Sequence, residues 1–156
     1  MLCLIVCAGA ERVALQAASV LEVVPAVTLH HPAGTPTWIA GVFRFRGVVT
    51  PVIDLHHLAV GGACPVRLST RIVVVEYPTI DGPRPLGLLA ERVTDLRELI
   101  TTGPGYLPAP DANSPDLGPL VAEADGVVRM ASIGRLVPPA YRGALFGTSD
   151  LLGGSG

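Results

Sequence analysis

Four histidines stand as two adjacent pairs, His30-His31 and His56-His57, and three cysteines stand at Cys3, Cys7 and Cys64. Such residues bind transition metals or serve as nucleophile and base, so a small metal-dependent enzyme using both His pairs is one reading. A zinc site needs three or four ligands converging on one point. The pairs flank the stretch Trp38–Leu55, so convergence is conceivable, but adjacent residues on a strand point to opposite faces, which splits each pair. Cys3 and Cys7 share a strand face and read as small buried apolar residues, with no His or acid at ligand spacing. Glu22, Asp54, Glu76, Glu91, Asp95 and Glu98 fall singly at strand ends, unlike the paired acids of general acid–base work. There is no nucleophile elbow, phosphate loop or His-Glu-x-x-His pattern. The expectation is a chain with no catalysis, no cofactor and no metal, and the histidines read as solvated loop residues.

The arginines offer a different chemistry. In Gly41-Val-Phe-Arg-Phe-Arg46-Gly47-Val-Val-Thr-Pro51-Val-Ile-Asp54-Leu55 a hairpin-like turn at Arg46-Gly47 joins two apolar runs. Arg44 and Arg46 alternate with Phe43 and Phe45, so on a strand the arginines share one side and the phenylalanines the other. That side is either a solvated face backed by two core aromatics or a binding face, since Arg is enriched at interface hot spots. Pro51 cannot donate to a ladder, which places its strand at an edge or gives it a bulge there.

The elements that must hold these residues are short strands. The chain has 156 residues, 49% hydrophobic, 4% aromatic and only 15% charged, with a mean hydropathy of +0.52. Aliphatic strands in that proportion must be buried on both faces or pack on something else. All basic residues are arginine, and the net charge of −2 lacks the basic footprint of a nucleic-acid binder. No apolar run is long enough to span a membrane. The start Met1–Ala10 runs straight into Glu11-Arg12 and reads as a strand, not a signal peptide. The odd cysteine count fits a reducing, cytoplasmic setting.

Leu2–Ala8 and Arg12–Ala17 read as a hairpin, followed by strands over Val20–Val24, Val48–Leu55, Arg71–Tyr77, Leu86–Ala90, Val93–Ile100 and Val127–Ile133. Pro78–Pro85 reads as a turn. His56–Val60, Ile133–Val137 and Ala140–Phe146 read as helical turns. Gly103–Pro119, with five prolines and three glycines in seventeen residues, reads as a loop, and 151–156 as a disordered tail. Val13–Val23 echoes Leu86–Leu96 at an offset of 73 residues: an aliphatic run, a polar pair, then Val-x-acid-aliphatic. The echo is either a duplication or the ordinary likeness of amphipathic strands.

Taken in order, Val20-Leu-Glu22-Val23, Pro36-Thr-Trp38-Ile39-Ala-Gly41-Val42, Arg46-Gly47-Val-Val-Thr-Pro51-Val-Ile-Asp54-Leu55, Arg71-Ile-Val-Val-Val-Glu76 and Leu86-Gly87-Leu-Leu-Ala-Glu91-Arg-Val93-Thr-Asp95-Leu96 resemble the CheW-like domain family over residues 2 to 137. The resemblance implies an all-β fold of two five-stranded SH3-like barrels around a shared apolar core, one domain over 1–150. It implies a non-catalytic adaptor between the cytoplasmic tips of chemoreceptors and the regulatory domain of a CheA-type histidine kinase. By position it implies Val20, Arg46, Gly87 and Val93 as receptor-binding residues lining a groove between the barrels, and Glu22 and Gly41 as kinase-facing. Arg44 stands where the family commonly has Asn, adding a positive charge beside the turn.

Overall fold

The computed structural model describes residues 1–99, 117–123 and 126–146. The loop read at Gly103–Pro119 lies outside them except for 117–119, as does the tail 151–156. Ten strands, β1 (Leu2–Ala8), β2 (Glu11–Gln16), β3 (Val20–Pro25), β4 (Ile39–Phe45), β5 (Val48–Asp54), β6 (Arg71–Thr79), β7 (Gly82–Ala90), β8 (Arg92–Glu98), β9 (Leu120–Glu123) and β10 (Gly126–Met130), are joined by two short helices, α1 (Leu55–Val60) and α2 (Pro139–Phe146).

The continuous apolar runs arise because the central strands are buried on both faces. On β1, Leu4, Val6 and Ala8 enter a core shared by both sheets, while Cys3 and Ile5 enter a separate cluster with Ala14, Val121, Val128 and Met130. On β6, Val73, Val75 and Tyr77 face the shared core; Ile72 and Val74 face a third cluster with Phe45, Val52 and Leu89. The protein is thus two five-stranded barrels, ordered β8-β1-β2-β10-β9 and β3-β6-β7-β5-β4, each around its own apolar centre and both clamped on a common one.

The two orders match strand for strand. Each holds a central antiparallel hairpin (β1–β2, β6–β7), one parallel neighbour (β10 on β2, β5 on β7), and a strand donated by the other half. After β2 the chain crosses to give β3 to the second barrel; after β7 it crosses back to give β8 to the first. The echoed segments are these two crossovers. In the first, the register slips between Val20 and Glu22, leaving Leu21 as the extra residue. In the second it slips between Val93 and Asp95, leaving Thr94. Leu21 and Thr94 are 73 positions apart, so the bulges recur at the echoed offset, as repeated structural devices do.

Several prolines sit differently from expectation. β5 is not an edge strand: it lies between β4 and β7. Its ladder with β7 starts at Val52, so Pro51 has a neighbour on one side only, and the bulge falls on the opposite strand between Ile39 and Gly41. Within Pro78–Pro85 the turn is confined to Ile80-Asp81, and the rest is the paired end of the β6–β7 hairpin, with Pro78 opposite Pro83 and Glu76 opposite Pro85. Two facing prolines have no N–H to exchange, so they occupy a non-hydrogen-bonded pair. Alternation then puts Pro85 in another such pair, and the ladder survives all three. The late strand is shorter than Val127–Ile133, since a 3₁₀ turn begins at Ile133, and β9 was not foreseen.

Candidate docking site

Arg46 and Gly47 form the two-residue turn between β4 and β5, with φ of +48° and +81°. Such hairpin turns want positive φ at both central positions, which costs a non-glycine residue about 1–2 kcal/mol. Arg46 is held there by two contacts. Its Nη2 lies 2.8 Å from Oε1 of Glu22, and its guanidinium stacks 4.8 Å over the Phe45 ring. Arg44 donates from Nη1 to the Gly47 carbonyl at 3.2 Å. Phe43 and Phe45 point into the second barrel while Arg44 and Arg46 are exposed, as the alternation predicted. The arginine face is therefore both solvated and built.

The Glu22 contact joins residues that the resemblance assigns to different partners. It joins β3 to the turn at the end of β4, and β3 and β4 are the two outer strands of the second sheet. The acid at the echoed position is also engaged: Asp95 accepts from Arg97 at 2.8 Å, and that hydrogen bond, aided by the Thr94 hydroxyl, holds its carboxyl below the usual range. Glu22 and Asp95 follow the two bulges, so each barrel carries an arginine-bound acid just beyond its crossover.

Val20 and Val93 precede the same bulges, paired with Val75 and Val6 respectively. Both are half-buried against the shared core, one on each barrel. Gly87 is buried inside the second barrel: a Cβ there would come within 2.9 Å of Ile72 Cγ2 and Val52 Cγ2. Gly41 is also buried; a Cβ would stand 2.6 Å from the His30 carbonyl oxygen and 2.9 Å from Leu29 Cβ. The two glycines therefore serve packing within the second barrel, and Val20, Val93, Glu22 and Arg46 present side chains. A cleft of about 730 Å³ lies between the barrels, lined by Gln16, Ser19, Glu76, Pro83, Met130 and Ile133 among others. None of the four residues assigned to the receptor groove lines it.

The histidines do not converge. His31 Nε2 meets Thr35 Oγ1 at 3.1 Å, His57 Nε2 meets Thr37 Oγ1 at 3.1 Å, and the His30 backbone bridges to Val42. His56 pairs with Glu91 at 3.3 Å. Among the described residues no three His, Cys, Asp or Glu side chains are grouped to hold a metal ion. Asp54 is buried and caps α1, accepting from the backbone N–H of His57 at 3.1 Å and of Cys64 at 2.8 Å. Burial, with Asp54 and Glu91 adding to it, pushes the Cys64 thiol up to about 12, so it is not a thiolate at neutral pH. Among the described residues no helix is long and apolar enough to cross a membrane.

The Arg46–Glu22 pair has no sequence signal, because the partners are 24 residues apart and each stands singly in its own motif. The matched bulges do have one, the echo itself. Comparison with known proteins agrees with the fold. The scaffolding protein TtCheW from Thermoanaerobacter tengcongensis has a similar structure, with a TM-score of 0.68 at 22% sequence identity over 86% of this chain and 90% of that one. No curated protein matches the chain. The model of the CheW-like domain matches residues 2–137, nearly all of the two barrels, and the chain belongs to the CheW-like domain family.

Proposed function

We propose that this protein is a non-catalytic cytoplasmic adaptor that couples chemoreceptors to a CheA-type histidine kinase in a chemotaxis or chemosensory pathway. The observation that carries the reading is the pairing of Val20 and Val93 at equivalent bulges, one per barrel, each half-exposed over the shared core. Two apolar anchors on a rigid joint suit helix-in-groove docking, here of the helical tip of a receptor. Arg46 supplies a charge fixed in direction by its turn, by Glu22 and by Phe45. The receptor-binding set is then Val20, Arg46 and Val93, with Gly87 contributing through the close packing of β7 on Ile72 and Val52. Glu22 and Gly41 belong to the kinase-facing end, and the Arg46–Glu22 bond makes the two docking regions neighbours.

The test is binding of the purified protein to a receptor tip fragment and to the kinase regulatory domain from the same genome. Arg46→Glu places two carboxylates together and is expected to weaken receptor binding about tenfold or more. Arg46→Gly keeps the turn, relieves its strained φ and removes the charge. It is expected to fold at least as stably while binding equally poorly. Unchanged receptor affinity in both variants removes Arg46 from the site; no association of the wild type with either partner removes the adaptor reading.

A further inference from the structure

His56 stands between two hydrogen-bond acceptors. Its Nδ1 is 3.0 Å from the carbonyl oxygen of Gly62, and its Nε2 is 3.3 Å from Oε1 of Glu91. Neither a carbonyl nor a carboxylate can donate. A neutral imidazole has one N–H and one lone pair, so it serves one of these neighbours and turns a lone pair on the other. The imidazolium donates to both. We propose that His56 is a protonation-dependent clasp: charged, it binds α1 and its following loop to the bend between β7 and β8; neutral, it keeps its one N–H on the nearer acceptor, the Gly62 carbonyl, and releases Glu91.

The surroundings support that assignment. The ring is largely enclosed, with its side chain 15% exposed and that of Glu91 21%, so the contact is shielded more than a surface pair. The other charged or titratable groups at this end of the surrounding elements are Cys7, Asp54, His57, Cys64 and Arg92; Cys3, Arg84, Asp95, Arg97 and Glu98 lie farther along β1, β7 and β8. Cys7 and Cys64 are buried thiols. His57 is turned to Thr37, and Arg92 is exposed. Asp54 is committed to two backbone N–H groups, that of His57 in the cap and that of Cys64 in the loop after α1. Glu91 is the acceptor aimed at the ring.

The clasp spans the joint of the molecule. Glu91 sits where the chain leaves the second barrel for the first, and its N–H bonds the Cys7 carbonyl of β1 at 2.9 Å. Helix α1 packs on both β1 and β7, and Val60 covers Gly9 in the β1–β2 turn so closely that a Cβ there would lie 2.8 Å from it. Val93 follows two residues after Glu91. An effect on docking through Val93 rests on the adaptor reading, but the clasp itself does not.

The experiment therefore uses the free protein. Hydrogen exchange at the Glu91 amide, corrected for intrinsic rates, is followed from about pH 5.5 to about pH 8.5, the range in which histidine changes charge. In the wild type its protection is expected to fall about fivefold as the charge-assisted bond is lost. Glu91→Gln keeps the acceptor oxygen without the charge, and His56→Arg keeps a cation at every pH. Both are expected to flatten the response, and His56→Arg at the high-protection level. A wild-type amide with no pH response, or one whose response is unchanged in Glu91→Gln, overturns the clasp. Loss of backbone amide dispersion in a variant would identify a folding failure, and the wild-type profile alone would then decide.

Discussion

Replacing Gly41 by alanine is expected to destabilise the protein by about 2–4 kcal/mol, read as a lower denaturant midpoint at unchanged slope. Two causes add. The φ of +146° is a conformation that side chains with a Cβ resist. The new methyl would also meet the His30 carbonyl oxygen at 2.6 Å, inside any acceptable contact. That carbonyl cannot retreat cheaply, because it accepts from the Val42 N–H at 2.8 Å while the His30 N–H donates back to Val42 at 3.1 Å. Gly34→Ala is the matched comparison: φ is +83° but nothing lies within 4 Å of the added carbon. Only the dihedral cost of about 1 kcal/mol should appear there. Equal losses at the two sites would show that crowding at Gly41 is unimportant. A Gly41→Ala protein of normal stability that fails to bind the kinase domain would assign the residue to contact; loss of both together assigns it to the shape of the β4 edge.

Much of this fold was legible as pattern, and less of it as partnership. Leu2–Ala8 and Ile72–Val75 announce strands buried on both faces, because nothing polar interrupts them and both of their faces are cores. The Arg46-Gly47 turn was legible because its chemistry is local: two residues, two positive φ values. Pro78, Pro83 and Pro85 misled, since proline reads as a breaker until the opposite strand shows that no N–H is wanted there. β9 is four residues next to a proline-rich stretch, too short to carry a period. Nothing local says that β3 and β8 each leave their own hairpin for the other barrel. The echo between Val13–Val23 and Leu86–Leu96 was visible, but its meaning, a reciprocal exchange with a bulge at each crossing, needs the ladder registers. The site divides in the same way. Val20 and Val93 are assigned by the family resemblance, and only their equivalence is visible in the echo. The bonds of Arg46 to Glu22 and of His56 to Glu91 join distant segments, and no spacing rule reaches them.

The exchange of strands makes the shared core, not either barrel, the place where substitution should cost most. Tyr77 occupies it with essentially no exposure, stacked on Phe146 of α2 with centroids 4.8 Å apart. Its hydroxyl donates to the carbonyls of Gly134 at 3.1 Å and Val137 at 3.4 Å. One side chain of the second barrel thus fastens the segment that follows β10 of the first. Tyr77→Ala is expected to lose about 3–5 kcal/mol and to loosen α2 along with it, as seen in faster exchange of the α2 amides. Tyr77→Phe should lose only about 1 kcal/mol, because Arg142 also donates to both carbonyls, from Nη2 to Gly134 at 3.2 Å and from Nε to Val137 at 3.4 Å, and neither is left unpaired. The hydroxyl carries a pH signature as well. Burial raises Tyr77 above its ordinary value, and burial does the same for Cys3 and takes Cys64 to about 12. In the unfolded chain these groups ionise at roughly pH 8.5 for cysteine and 10 for tyrosine. Above those values the folded state holds more protons than the unfolded one, so stability falls as pH rises. Unfolding free energy measured at intervals from about pH 8 to about pH 11 should therefore decline, and the part of the decline above roughly pH 10 should be shallower in Tyr77→Phe. Parallel curves for the two proteins would mean that Tyr77 ionises as readily inside the shared core as outside it, contrary to the burial on which the joint depends.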